Sequence, residues 1–381
     1  MATASATAYV LLEDGARFDG IACGADDHAV GEIVFTTSMS GYQEAMTDPS
    51  YAGQLLAFTY PQIGNYGVSA EAMESDRVHA RAAIMRAAVN RDDAPGADSG
   101  WLSWLIAHGI PAITDLDTRA LVRHIRDQGA MRGGLFPARV PPGEARALIE
   151  AEPAMAGRDL AREVTPSKVT VLDPIGGDSG VQIAMIDTGV KLSIVGNLRA
   201  RGATVTLHPC HAGVDALLAA EPDAVFLANG PGDPAALDHV VDTIRGLVGK
   251  LPVYGICLGH QLLCRAVGLE TYKLAFGHHG ANHPVKDLTT GRTEITSQNH
   301  GFAVLGPGGA RTIDDDEPVR WETDFGAAEL THINLYDRTV EGLTLRDVQG
   351  ATVQYHPEAG PGPHDSLYLF DRFVDAIAAA A

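Results

Sequence analysis

A chain of 381 residues with 45% hydrophobic and 20% charged side chains has the make-up of a globular protein of two or three domains, which excludes global disorder. Its formal charge of −20 is the reverse of a basic nucleic-acid footprint, so no nucleic-acid partner is expected, and a solvated acidic surface is the ordinary reading of such a surplus. The four cysteines, Cys23, Cys210, Cys257 and Cys264, are scattered without a CxxC pair, which excludes a disulfide framework or zinc site and fits free thiols in a reducing cytoplasm.

From the N-terminus, Met1-Ala2-Thr3-Ala4-Ser5-Ala6 lacks the basic start of a signal peptide, and no apolar run approaches the ~18 residues that span a bilayer, so no membrane association is expected. Residues 9–12 and 33–36 read as short strands, with Asp14-Gly15 as a turn. Residues 115–126 carry Leu116, Ala120 and Ile125 among charges at helical spacing. This half predicts an α+β domain. Pro141-Pro142-Gly143 and Asp173-Pro174-Ile175-Gly176-Gly177-Asp178 interrupt the pattern, and the second predicts a linker, with domains over 1–178 and 179–381.

The second half alternates. Strand-like runs at 181–187, 203–207, 224–228 and 252–256 are each followed by a helical stretch, at 190–201, 214–220, 236–247 and 260–267. That rhythm predicts an α/β domain with a mostly parallel, helix-covered sheet, whose ligand site lies at the carboxyl ends of the strands.

At the end of the fourth run stands Gly255-Ile256-Cys257-Leu258-Gly259-His260-Gln261. G-x-C-x-G is the cysteine counterpart of the G-x-S-x-G nucleophile elbow. A sharp strand-to-helix turn lifts the side chain of Cys257 above the sheet, and flanking glycines let neighbouring backbone pass without a Cβ clash. The helix that follows points its N-terminus at the sulfur, which stabilises a thiolate, and the Leu258 amide is placed to donate to an oxyanion. A small buried cysteine in a strand-to-helix connection is the bland alternative. Cys264, two turns on, reads as core.

A thiol nucleophile needs a base. Gln354-Tyr355-His356-Pro357-Glu358 closes a strand-like run, and in extended backbone His356 and Glu358 fall on one side, so the carboxylate can orient the ring. Ala228-Asn229-Gly230-Pro231-Gly232-Asp233-Pro234 follows a strand; it is either a plain turn or a loop presenting bare amides to a ligand.

Together the elbow, the N-G-P-G-D-P loop and the H-P-E triplet resemble the class I, triad-type glutamine amidotransferases. Residues 276–286, 297–302 and 358–365 resemble the carbamoyl-phosphate synthase small chains in particular, as do 37–44 and 47–51 in the first half. The resemblance implies a triad of Cys257, His356 and Glu358 acting on L-glutamine. It implies an oxyanion hole from the amides of Gly232 and Leu258. It implies that Ser50, Gly230, Gln261, Asn299, Gly301 and Phe302 surround the substrate, although by spacing alone Ser50 is a turn serine after Asp48-Pro49. It further implies a large-subunit partner, docked through the first domain, that receives ammonia through an internal tunnel. ATP and a divalent cation would then reside on that partner, with no cofactor in this chain; no G-x-x-x-x-G-K-[ST] loop occurs. Related chains often carry an arginine in the helix after Lys191 where this one has Gly196, and a mid-helix glycine costs about 1 kcal/mol against alanine. A stand-alone cysteine hydrolase and a catalytically silent scaffold are the competing readings; the first domain argues against one and the intact triad against the other.

Overall fold

The computed structural model describes residues 7–314 and 318–379, so the N-terminal stretch Met1–Ala6 lies outside the described residues. The described residues form two compact units, one of 7–158 with 275–280 and one of 159–274 with 281–314 and 318–379.

In the first unit seven strands close a barrel: β1 (Thr7–Leu12), β2 (Arg17–Ala22), β3 (Ala29–Thr36), β4 (Gln54–Phe58), β5 (Ala82–Ile84), β6 (Ala112–Thr114) and β7 (Met131–Pro137), in the order β1-β2-β6-β5-β4-β3-β7. β3, β4, β5 and β6 pair in parallel and the remaining pairs are antiparallel. β1 shows why the run at 9–12 is continuously apolar. Ala8, Val10 and Leu12 face the barrel interior, while Tyr9 and Leu11 are covered from outside by Ala145 and Ile149 of the helix Pro142–Ala151. The helix expected at 115–126 spans Thr118–Gln128, capped by Asp117, whose carboxylate accepts from the Ala120 amide. Its Leu121 and Ile125 enter the same interior as Val10.

The second unit holds β8 (Thr170–Leu172), β9 (Gln182–Asp187), β10 (Thr204–Pro209), β11 (Ala224–Leu227), β12 (Val253–Ile256), β13 (Thr271–Asp287), β14 (Thr293–Val304), β15 (Arg320–Thr323), β16 (Gly326–Asn334), β17 (Val340–Leu345) and β18 (Gly350–Val353). They form one sheet in the order β14-β13-β16-β17-β18-β12-β11-β9-β10-β8, with β15 on β16; residues 275–280 of β13 belong to the first unit. β10, β9, β11, β12 and β18 are parallel neighbours, as the alternating rhythm predicts.

Each central strand feeds two cores, because successive side chains point to opposite faces. Ala184, Ile186, Val225, Leu227 and Val253 pack with the helices Asp238–Leu247 and Leu258–Ala266. Ile183, Met185, Phe226, Tyr254 and Ile256 pack with Leu192–Ala200 and Tyr368–Ala378. The division between units falls at Arg158, some distance before the Pro-Gly stretch at 173–178. The intervening segment is tied to the second sheet: β8 pairs antiparallel with β10, and the Thr165 hydroxyl donates to the Asp187 carbonyl at 2.7 Å. Gly196 sits inside Leu192–Ala200 with open space where a Cβ would stand.

Candidate active site

β12 ends at Ile256 and the next helix begins at Leu258, leaving Cys257 alone at the junction with φ 55° and ψ −106°. A non-glycine residue held there carries strain of about 1–3 kcal/mol, which persists only where the surroundings over-determine it. Those surroundings are the two glycines. A Cβ on Gly259 would stand 2.2 Å from the Leu227 carbonyl oxygen, and one on Gly255 would stand 3.0 Å from the Gly259 carbonyl carbon. Strand, turn and helix therefore press together at contacts only glycine permits. The helix starts two residues earlier than the spacing suggests, so Cys257 itself occupies its N-cap position.

β18 runs parallel to β12, and the chain continues from it to His356. The His356 amide donates to the Ser297 carbonyl at 2.9 Å, which brings β14 alongside. His356 Nδ1 lies 2.6 Å from Glu358 Oε1, and Lys191 Nζ donates to the same oxygen at 2.9 Å and to the Gly360 carbonyl at 2.7 Å. All three side chains are at most 2% exposed. Burial opposes charge on the His356 ring, yet the carboxylate of Glu358 and the sulfur of Cys257 outweigh it and push its pKa up to about 10. Burial likewise opposes the Glu358 carboxylate, but Lys191 and His356 hold its pKa down at about 2. The arrangement stores a cationic ring beside a sulfur, held by a carboxylate that is itself held by a lysine.

Burial pushes Cys23 up to about 12 and raises Cys210 and Cys264. His260, one turn into the elbow helix, is buried against Thr352 at 2.8 Å, and burial, with His332 nearby, lowers it to about 3. It stays neutral and cannot share the role of His356.

Around the sulfur, Cys257 Sγ lies 3.6 Å from the Asn299 carbonyl oxygen. Gln261 Nε2 donates to the Phe302 carbonyl at 2.8 Å and to Gln354 Oε1 at 3.0 Å. Gly301 stands between Asn299 and Phe302 on β14. The Gly230 loop closes from the other side: a Cβ there would meet the Thr188 carbonyl oxygen at 2.2 Å and the Leu258 side chain at 3.0 Å. Gly232 holds φ 96°, a conformation that turns its backbone as no L-residue readily would. Leu258, first in its helix, has an amide without an intrahelical acceptor. Ser50 belongs to the first unit, in the turn Pro49–Tyr51, where its amide is bound by Asp48 Oδ1 at 2.8 Å.

Two family models match the chain. The CPSase domain of the carbamoyl-phosphate synthase small chain matches residues 10–135, and class-I glutamine amidotransferase matches 184–376. A carbamoyl phosphate synthase small chain of Chlorobaculum tepidum is 45% identical over 374 residues, covering 97% of both chains. One of Rhodopirellula baltica is 42% identical, covering 99% of this chain and 98% of that one, and one of Streptomyces coelicolor is 44% identical, covering 97% and 96%. This chain belongs to the carbamoyl-phosphate synthase small-chain family. It is the small subunit of such a synthase, and its second unit is a glutamine amidotransferase domain. No helix among the described residues is long and apolar enough to cross a membrane.

Within this small chain, Lys191 is the residue that sequence reasoning passes over. It precedes the helix Leu192–Ala200 as its N-cap, and its amide is bound by Asn229 Oδ1 at 3.1 Å. A buried lysine needs a buried anion, and the apolar run Ile183–Ile186 leading into Asp187-Thr188-Gly189-Val190-Lys191 was the one available signal.

Proposed function

We propose that the chain hydrolyses L-glutamine to glutamate and ammonia and delivers the ammonia to a large, ATP-dependent chain that makes carbamoyl phosphate from bicarbonate. The Cys257 sulfur attacks the side-chain amide carbon. The carbonyl electrons move onto oxygen, where the amides of Gly232 and Leu258 stabilise the charge. As the tetrahedral species collapses, the C–N bond breaks and His356 gives its proton to the departing nitrogen, so ammonia leaves and a γ-glutamyl thioester remains. His356, now neutral, takes a proton from water; the hydroxide attacks the thioester, the C–S bond breaks, and glutamate and the starting ion pair are restored. Glu358 keeps the ring oriented and charged, and Lys191 keeps Glu358 ionised. Gly230, Gln261, Asn299, Gly301 and Phe302 form the wall against which the glutamine rests. ATP and its divalent cation act on the large chain. A closed path between the two chemistries keeps ammonia unprotonated and nucleophilic.

The observation that carries this reading is Cys257 at positive φ on the N-terminus of a helix, in the same unit as a buried His356–Glu358 pair 2.6 Å apart. Cys257→Ser tests it. Glutamine-dependent synthesis by the assembled enzyme should vanish while synthesis from supplied ammonia persists, because a serine hydroxyl is not appreciably ionised at neutral pH. Near-normal glutaminase activity in that variant would overturn the mechanism.

A further inference from the structure

The first unit carries a cluster of like charges with no role in the chemistry above. Arg119, Arg123 and Arg126 recur at i, i+4 and i+7 of the helix Thr118–Gln128, so they share one face. With Val122, Thr118 and Thr59 they line an open cavity of about 530 Å³. The opposite face is fixed, since Leu121 and Ile125 are buried in the barrel core. The row therefore cannot turn away.

This chain has 48 acidic and 28 basic side chains, and many of its guanidinium groups find one of those carboxylates. Arg81 meets Glu152, Arg132 meets Glu13 and Arg201 meets Asp371. Arg126 leans on its neighbour Asp127 at 2.9 Å. Arg119 and Arg123 make no ion pair or hydrogen bond among the described residues. Like charges one turn apart repel, and in a chain so rich in carboxylates two unpaired guanidiniums side by side are a cost without an internal return. A planar guanidinium fork matches a carboxylate in two hydrogen bonds.

We infer that this arginine face is a docking surface for a carboxylate-bearing segment of the large chain; the inference rests on the reading above that the protein works with such a partner. Charge complementarity selects this occupant. A surface of net charge −20 repels an acidic partner everywhere except at a local positive patch, so the patch fixes where and in what register the two meet.

The test uses the full-length chain. Arg119→Glu with Arg123→Glu is compared with wild type and with Arg119→Lys/Arg123→Lys for assembly with the cognate large chain, by titration calorimetry at low and at high salt. Melting temperature and the glutaminase activity of the isolated chain should stay unchanged in both variants, because both residues are exposed and lie outside the site. The double-glutamate variant should assemble about tenfold or more weakly at low salt and lose most of the salt dependence seen in wild type, with the lysine variant in between. Wild-type affinity and salt dependence in the double-glutamate variant would overturn the inference while leaving the subunit reading intact. So would inorganic phosphate binding to wild type but not to the double-glutamate variant, with assembly equal in the two, since that marks a small-anion cavity. Failure of wild type itself to associate with the large chain would remove this inference together with the reading it rests on.

Discussion

Gly259→Ala isolates the physics of the elbow, because it adds one methyl group and no new chemistry. The new Cβ would stand 2.2 Å from the Leu227 oxygen and 2.7 Å from both its carbonyl carbon and its Cβ. Ordinary contact needs more than 3 Å, so the start of the helix Leu258–Ala266 must retreat from β11 by on the order of 1 Å, and the neighbour is backbone that cannot swing aside. Overpacking of this kind costs about 1–3 kcal/mol. The same displacement moves Cys257 and the Leu258 amide, and a misplacement of about 1 Å can cost on the order of a hundredfold in rate. Gly196→Ala is the matched control: a Cβ there meets nothing within 4 Å, so it should gain up to about 1 kcal/mol from helix propensity and leave kcat/KM untouched. Urea denaturation and steady-state glutaminase assays of both variants read the two effects separately. Wild-type stability and activity in Gly259→Ala would refute the argument that glycine is demanded by close approach.

Lys191→Met should destabilise the chain by about 3 kcal/mol, the lower end for breaking a buried pair because His356 still partners Glu358; a loss below about 1 kcal/mol by urea denaturation would mean that water reaches the carboxylate. The same variant should raise the pKa of Glu358 and so weaken the charge on His356, which moves the acid limb of the glutaminase pH profile upward; an unmoved limb would contradict the coupling. The pH dependence of stability follows from the two shifts. Glu358 falls from 4.5 to about 2 on folding, so its contribution is present above pH 4.5 and lost as pH drops toward 2. His356 rises from 6.5 to about 10, so its contribution is full below pH 6.5 and lost as pH climbs to 10. In His356→Asn the decline between pH 6.5 and 10 should flatten; an unchanged slope would show that another group carries it.

The parts of the site that can be read along the chain are those whose cause is local. The strand, turn and helix around Cys257 are legible because two glycines and an apolar run within nine residues demand them. The His356–Glu358 pair is legible because extended backbone sets residues i and i+2 on one side. Lys191 is not, since its partner Glu358 is 167 residues away and only the sheet order brings them together. Barrel closure is equally hidden: residues 9–12 and 33–36 read as strands, but nothing local says that β3 and β4 pair in parallel while β1 and β7 run antiparallel. The edge of the second unit eludes composition because β8 is short and half exposed, and its pairing with β10 is a long-range event.

β14 serves as a ruler. The Ser297–His356 bridge sets its zero, and Asn299 and Gly301 are its next marks on the same face. A ruler read in steps of two tolerates exchange of individual marks better than any change in their number. One residue inserted between Ser297 and Phe302 would turn every later side chain to the opposite face. The exposed turn at residues 289–292, where Gly291 has open space around it, is where this hairpin can lengthen or shorten without disturbing the scale.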